Sequence, residues 1–324
     1  MTTIKKIVLA LVIMLGITVM FATENNFADA NFELGLDART AGMGGVGVGF
    51  LDNVAATFLN PATLADVKRH EFNFSYRANM EYDRSYFSAA GGFELPLGYL
   101  ALSWKYAGTD KIRGFDPEGN PRGDFDSSAN NINLSYALKI SNFNVGITPK
   151  LYMSNIDDDK TTGFGLDLGA VWHMNRYFNL GFVARELASD VDGDGLEMPR
   201  KLIPGIAVFP VPGLVVAADM VGTNDFKDTS LNLGAEYWLG VGQDDNMGSS
   251  ITGIRVRENS TWSDIFARTQ AGIRAGLNDG KFAAGFGLRY SMFEVNYAYQ
   301  LTDKKSEDTL DGQDHHLMSL TLRF

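Results

Sequence analysis

The chain has 324 residues, 45% hydrophobic and 12% aromatic, with 35 Gly and 9 Pro, which is enough for one large domain or two small ones. It contains no cysteine, which excludes lipidation at a cleavage site, a disulfide framework and thiolate metal ligands. A formal charge of -11 argues against nucleic acid as a partner. Lys5 and Lys6 precede an apolar run from Ile7 to Phe21, and a small-x-small site follows at Ala28-Asp29-Ala30, with Ala22 a second cleavage point. Residues 1–30 are therefore expected to be a secretory signal peptide. The run falls short of the roughly 20 residues a spanning helix needs. No later stretch is uniformly apolar for that length, so any later membrane contact must be by strands.

Residues 31–67 have no period-two run and are dense in glycine. Two short helical patches stand out, Asn53–Leu59 with Asp52 as N-cap and Ala62–Asp66 after Pro61. Gly42, Gly44 and Gly47 match the letters of a dinucleotide-binding fingerprint, but no strand precedes them inside a βαβ unit. Glycines also let a backbone pass close to a wall, as a segment threading a narrow lumen requires. The expectation is a plug over residues 31–67, followed by a barrel over 68–324.

From residue 69 onward the pattern changes to strict alternation, the mark of β structure. Alternating segments fall near 69–78, 84–93, 97–107, 127–139, 143–154, 161–172, 177–187, 200–209, 213–221, 229–239, 264–277, 281–290, 291–301 and 314–324, about fourteen in all. Each is near bilayer-crossing length. Connections at 94–96, 140–142, 173–176, 210–212 and 290–292 are short, whereas 107–126, 188–199 and 302–313 are longer and charged. Short turns on one side and long loops on the other suit a transmembrane antiparallel barrel, all-β in class. Residues 240–263 break that alternation and read as an insertion, with room for a hairpin around Ile251–Val256. Asn278–Gly280 is a short connection on the long-loop side.

The two faces separate. Leu100, Leu102, Trp104, Tyr106, then Ile132, Leu134, Tyr136, Leu138, then Phe164, Leu166, Leu168 and Trp172 form an apolar set, with aromatics near strand ends. The opposite face carries Lys105, Asn131, Asn133, Asp167, Arg185, Asp219, Glu236, Arg268, Arg274, Arg289, Glu294 and Arg323. In a barrel these acids and bases point into the lumen and pair with each other and with the plug. In a soluble sandwich the same polar face would meet water. A transporter reading adds a lateral gap or strand kink at Pro149 or Pro204, since proline cannot complete a ladder.

Asp190, Asp192, Asp194 and Gly195 spell the first half of a calcium loop, but Lys201 stands where a bidentate Glu belongs. That rules out an EF-hand and leaves a looser cation loop. His70, His173, His315 and His316 lack metal-ligand spacing. No motif supports a hydrolase at the rim, so neither catalytic residues nor a cofactor are expected.

Asp37-Ala38-Arg39, then Ala41-Gly42-Met43-Gly44-Gly45, then Asn60-Pro61-Ala62 resemble the N-terminal signature of PorV/PorQ-like outer-membrane proteins, relatives of the FadL-type hydrophobic-compound transporters. The likeness continues in Gly234-Ala235-Glu236-Tyr237-Trp238 and Arg274-Ala275-Gly276. The final strand, with Leu320, Leu322 and Phe324 on one face, resembles the assembly signal of bacterial outer-membrane barrels. The resemblance implies a barrel of about fourteen strands with Asn60, Pro61 and Ala62 in an internal hatch, outer-membrane lipid around it, and the barrel-assembly machinery as a partner. It implies one of two functions. One is a plugged channel for a hydrophobic small molecule; the other is an accessory barrel for protein secretion or surface attachment, with secretion-system proteins as partners.

Overall fold

A computed structural model describes residues 26–27, 37–79, 84–116, 118–157, 159–191, 196–223, 226–239, 269–301 and 314–324. All but two residues of the expected signal peptide, the 240–263 insertion, Arg268, Asp192 and Asp194 lie outside them.

Fourteen strands among the described residues form one closed antiparallel barrel. They are β1 (Glu71–Asn79), β2 (Arg84–Leu95), β3 (Gly98–Phe115), β4 (Pro121–Ile140), β5 (Phe143–Ile156), β6 (Asp159–Asn175) and β7 (Phe178–Arg185), then β8 (Lys201–Val208), β9 (Leu214–Thr223), β10 (Asp228–Leu239), β11 (Gln270–Asn278), β12 (Lys281–Tyr290), β13 (Phe293–Gln300) and β14 (His315–Arg323). Each pairs with its neighbours in sequence, and β14 closes onto β1 with Arg323 opposite Glu71. Closure removes the free edges that an open sheet would expose. Short turns gather at one end; at the other, Asp279 and Gly280 both have positive φ and close the β11–β12 hairpin in the two-residue form that Asp-Gly favours.

The alternation follows the expected faces. Leu102, Trp104, Leu134, Phe164, Phe286, Leu288, Met318 and Leu320 point outward and are exposed, while their neighbours Ser103, Lys105, Asn133, Asp167, Leu317 and Ser319 are buried. Rings cluster toward the strand ends, with Phe143 stacked on Trp172 at 5.6 Å and Phe72 edge-on to both Phe93 and Phe324. Leu320 and Leu322 meet no second sheet, so the sandwich reading falls.

Three sequence-based expectations need correction. The connection expected at 107–126 is a continuation of β3 and β4, with register shifts at Thr109/Ile112 and Gly114/Phe115. Most of its side chains are exposed, so neither face carries the apolar period that would have marked it as strand. The expected strand 177–187 stops at Arg185, because Glu186 takes φ 54° and turns the chain. Leu187 then covers Leu168 and Ala184, and Val191 and Met198 pack against Tyr86 and Tyr152. The long connection before β8 contains two short strands, Asp190–Val191 paired with β6 and Leu196–Glu197 paired with Asn26–Phe27.

At Pro149 the β4–β5 ladder passes from Asn133 opposite Lys150 to Tyr136 opposite Ile147, skipping two positions without changing register. Pro204 does the same between β8 and β9, from Leu202 opposite Gly222 to Gly205 opposite Asp219. Each proline leaves a local gap in the ladder because it has no N–H to donate.

Candidate functional site

Residues 37–67 pack against the inward face of the barrel through three short turns of helix. Asp37 caps α1 (Ala38–Gly42), accepting from the Thr40 N–H at 3.0 Å. Burial pushes its carboxyl above the usual range, against the Thr40 N–H and nearby Arg39, which favour the charged form. Val54–Phe58 is a 3₁₀ turn capped by Asn53, whose Oδ1 accepts from the Ala55 N–H at 3.1 Å. The cap is therefore Asn53 and not Asp52, which turns away to meet Arg39. Pro61–Asp66 is a second 3₁₀ turn. Its cap Asn60 accepts from the Ala62 N–H at 3.0 Å and donates to the Val48 carbonyl at 2.7 Å, fastening two stretches of the segment together.

Small residues set how close the segment comes to the wall. Gly44 has φ +72°, and a Cβ there would lie 2.6 Å from the Leu277 backbone. On the wall, Gly276 faces Met43 so closely that a Cβ would overlap the Met43 backbone.

Charge fixes the orientation. Arg39 donates from Nε and Nη2 to Glu236 at 2.9 and 2.7 Å, and from Nη1 to Asp52 at 2.6 Å. Burial opposes the guanidinium charge, but Glu236 and Asp52 beside it hold it firmly protonated. Arg274 meets the same Glu236 from β11. Next to it, Glu294 accepts from Arg289 at 2.7 Å and from Arg323, which also donates to Glu71 at 2.7 Å. Glu71 in turn accepts from the Val54 N–H at 2.9 Å. Asp219 accepts from the N–H groups of Gly47 and Val48 at 2.8 and 3.1 Å. A third group joins Lys150, Asp167, Glu186, Tyr152 and Arg185 where β7 ends. Buried pairs of this kind add little net stability, because desolvation offsets attraction, whereas removing one partner leaves an uncompensated buried charge.

Two cavities flank the segment. One, of about 510 Å³, lies toward the long-loop end; Val48, Leu51, Phe58, Leu59, Ile203 and Val221 give it apolar surface, and Arg77, Lys105, Arg185 and Lys201 add charge. The other, of about 500 Å³, opens toward the short turns and is lined by Phe50, Phe209, Pro210, Leu214, Val215 and Trp238 over Arg39 and Glu236.

Solved structures share this architecture. The Ralstonia pickettii toluene transporter TbuX matches at 14% identity and TM-score 0.59, over 91% of this chain and 100% of that one. The Pseudomonas putida toluene transporter TodX matches at 13% identity and TM-score 0.54, over 93% and 99%. The monoaromatic hydrocarbon channel CymD matches at 13% identity and TM-score 0.53, over 92% and 99%. The chain has their fold. No protein-family model matches the sequence, and no curated protein is significantly similar to it.

Within that fold the sequence-derived residues are placed as follows. Asp37, Arg39, Gly42, Gly44, Gly45, Asn60, Pro61 and Ala62 all lie in the segment against the inner wall. Lys105, Asp167, Arg185, Asp219, Glu236, Arg274, Arg289, Glu294 and Arg323 are on inward faces, with Lys105 5.2 Å from the Phe58 ring. Leu320 and Phe324 are on the outer face. Asp190 pairs with β6, and among the described residues no group of His, Asp or Glu could hold a metal ion. Lys150 and Glu71 were not singled out, although period two puts both on the inward face. Glu186 could not have been found that way, since extending the β7 alternation turns it outward.

Proposed function

We propose that the protein is an outer-membrane barrel that passes hydrophobic small molecules, with residues 37–67 as its plug, and that it is not an enzyme. The observation that carries this reading is the cavity toward the long-loop end. Its apolar floor belongs to the same segment that fills the lumen, so a shift of that segment alters the binding surface and the path together. The fold shared with proteins described as toluene transporters supports the same class. An outer belt of exposed Leu, Phe and Trp suits lipid contact. Within the FadL-type superfamily we place the chain beside PorV/PorQ-like proteins, on Asp37-Ala38-Arg39 and Asn60-Pro61-Ala62.

The test is toluene uptake into vesicles whose outer leaflet is lipopolysaccharide, which slows passive entry. Uptake above protein-free vesicles is expected, with faster entry when Pro61 is replaced or residues 37–67 are removed. No uptake by any of the three, together with co-purification of secretion components, would replace this reading with that of an accessory barrel.

A further inference from the structure

The structure assigns to His173 a proton-dependent clasp that holds the end of the plug to the short-turn rim, docked while the ring is an imidazolium and loosened once it is neutral. This regulates the channel read above and rests on that reading. His173 stands one residue past Trp172, whose ring stacks on Phe143, so it lies at the rim beyond that aromatic pair. Its backbone N–H donates to the Asn142 carbonyl at 2.8 Å. The half-buried ring then reaches both ends of the inner segment. Its Nε2 lies 3.1 Å from Oδ2 of Asp66, the last residue of the second 3₁₀ turn. Its Nδ1 lies 3.0 Å from Oδ1 of Asn179, the cross-strand partner on β7. Asn179 is itself oriented, because its Nδ2 donates to the Gly49 carbonyl at 3.1 Å. Both ring nitrogens therefore face fixed acceptors. An imidazolium donates to both, whereas either neutral tautomer donates to one. Asn144 Nδ2, also 3.1 Å from Nε2, can donate to it only when the ring is neutral, and that leaves the Nε2 lone pair facing a carboxylate oxygen.

The charges around the ring come from the segment and from β4: Asp66, and Lys139 paired with it at 2.8 Å. From β5 and β7 the ring meets the neutral Asn144 and Asn179, and Arg176 on the same turn stacks over Tyr177. The hydrogen bond to Asp66 holds the ring above its ordinary value of 6.5, against burial and Lys139. A raised histidine value contributes docking stability that is complete below 6.5 and is lost as pH rises through the docked value. The clasp is whole only while Asp66 is ionised and His173 is protonated.

The chain has four histidines, so ring signals of the full protein in detergent micelles give the titration directly. His173→Gln identifies the signal; if that variant does not fold, replacing His70, His315 and His316 with Gln leaves His173 alone. The ring should titrate above 6.5 and fall back toward that value in Asp66→Asn. Amide exchange of residues 62–67, corrected for intrinsic rates, should rise roughly threefold or more between about pH 6 and pH 9. The rise should vanish in His173→Gln that still shows heat-modifiable migration. A ring titrating at or below 6.5, no rise in the unsubstituted protein, or an equal rise in His173→Gln would overturn the clasp. Toluene uptake into vesicles separates the clasp from the channel. Uptake without a His173-dependent rise removes the clasp and keeps the channel, and a His173-dependent rise without uptake upholds the clasp while removing its role in transport.

Discussion

Glu236 accepts from Arg39 and Arg274 at once, and all three side chains are 5% exposed or less. Removing its charge leaves two buried cations around a neutral amide, and breaking such a pair costs roughly 3–5 kcal/mol. Glu236→Gln should fall at the lower end of that range, because Arg39 keeps Asp52. It would appear as a lower urea midpoint in detergent, partly restored by Arg39→Gln; an unchanged midpoint would refute the ion-pair account. Asp66 offers a pH test. Burial works against its charge, but hydrogen bonds from His173, Lys139 and Asn144 hold its carboxyl below the usual range. A lowered carboxylate pKa contributes stability above the ordinary value near 3.8 that is lost as pH falls through the folded one. Amide exchange of residues 61–67 should therefore rise on acidification below about pH 4, after correction for intrinsic rates, and Asp66→Asn should flatten that rise.

Element by element, the segment depends on caps and on close approach. Asn60→Ala removes both a cap and the donor to Val48, a loss of about 1–2 kcal/mol. The effect should be confined to residues 45–67, so limited proteolysis there should quicken while the barrel stays intact. Gly276→Ala places a methyl group in the Met43 backbone, and Gly44→Ala adds strain at φ +72° of about 1–3 kcal/mol. Either should displace α1 and the following turn from β11, seen as raised conductance in a planar bilayer. Unchanged conductance in both would mean that the wall yields instead.

For the molecule as a whole, the ladder closes through backbone pairs in which the segment takes no part. A protein lacking residues 37–67 should still migrate faster unboiled than boiled, while its conductance rises. If the fast-migrating form disappears, the segment is part of the folding core and no plug.

Much of this could be read directly from the chain. A strand with an apolar outer face on one side and a polar interior on the other must alternate, so Phe282 to Tyr290 and Met318 to Phe324 announce their faces residue by residue. The upper β3–β4 hairpin could not announce itself, because water meets both of its faces and no period is imposed. Glu186 is hidden for a different reason: one positive φ reverses a side, and alternation cannot encode it. The inward charges were visible as a set, but their partners were not. Arg39 meets Glu236 across 197 positions and Arg323 meets Glu71 across 252, and only closure of the cylinder decides which acid each base reaches. Solvent on either side of a strand sets its local pattern, whereas pairing and the two cavities come from distances that exist only after the barrel closes.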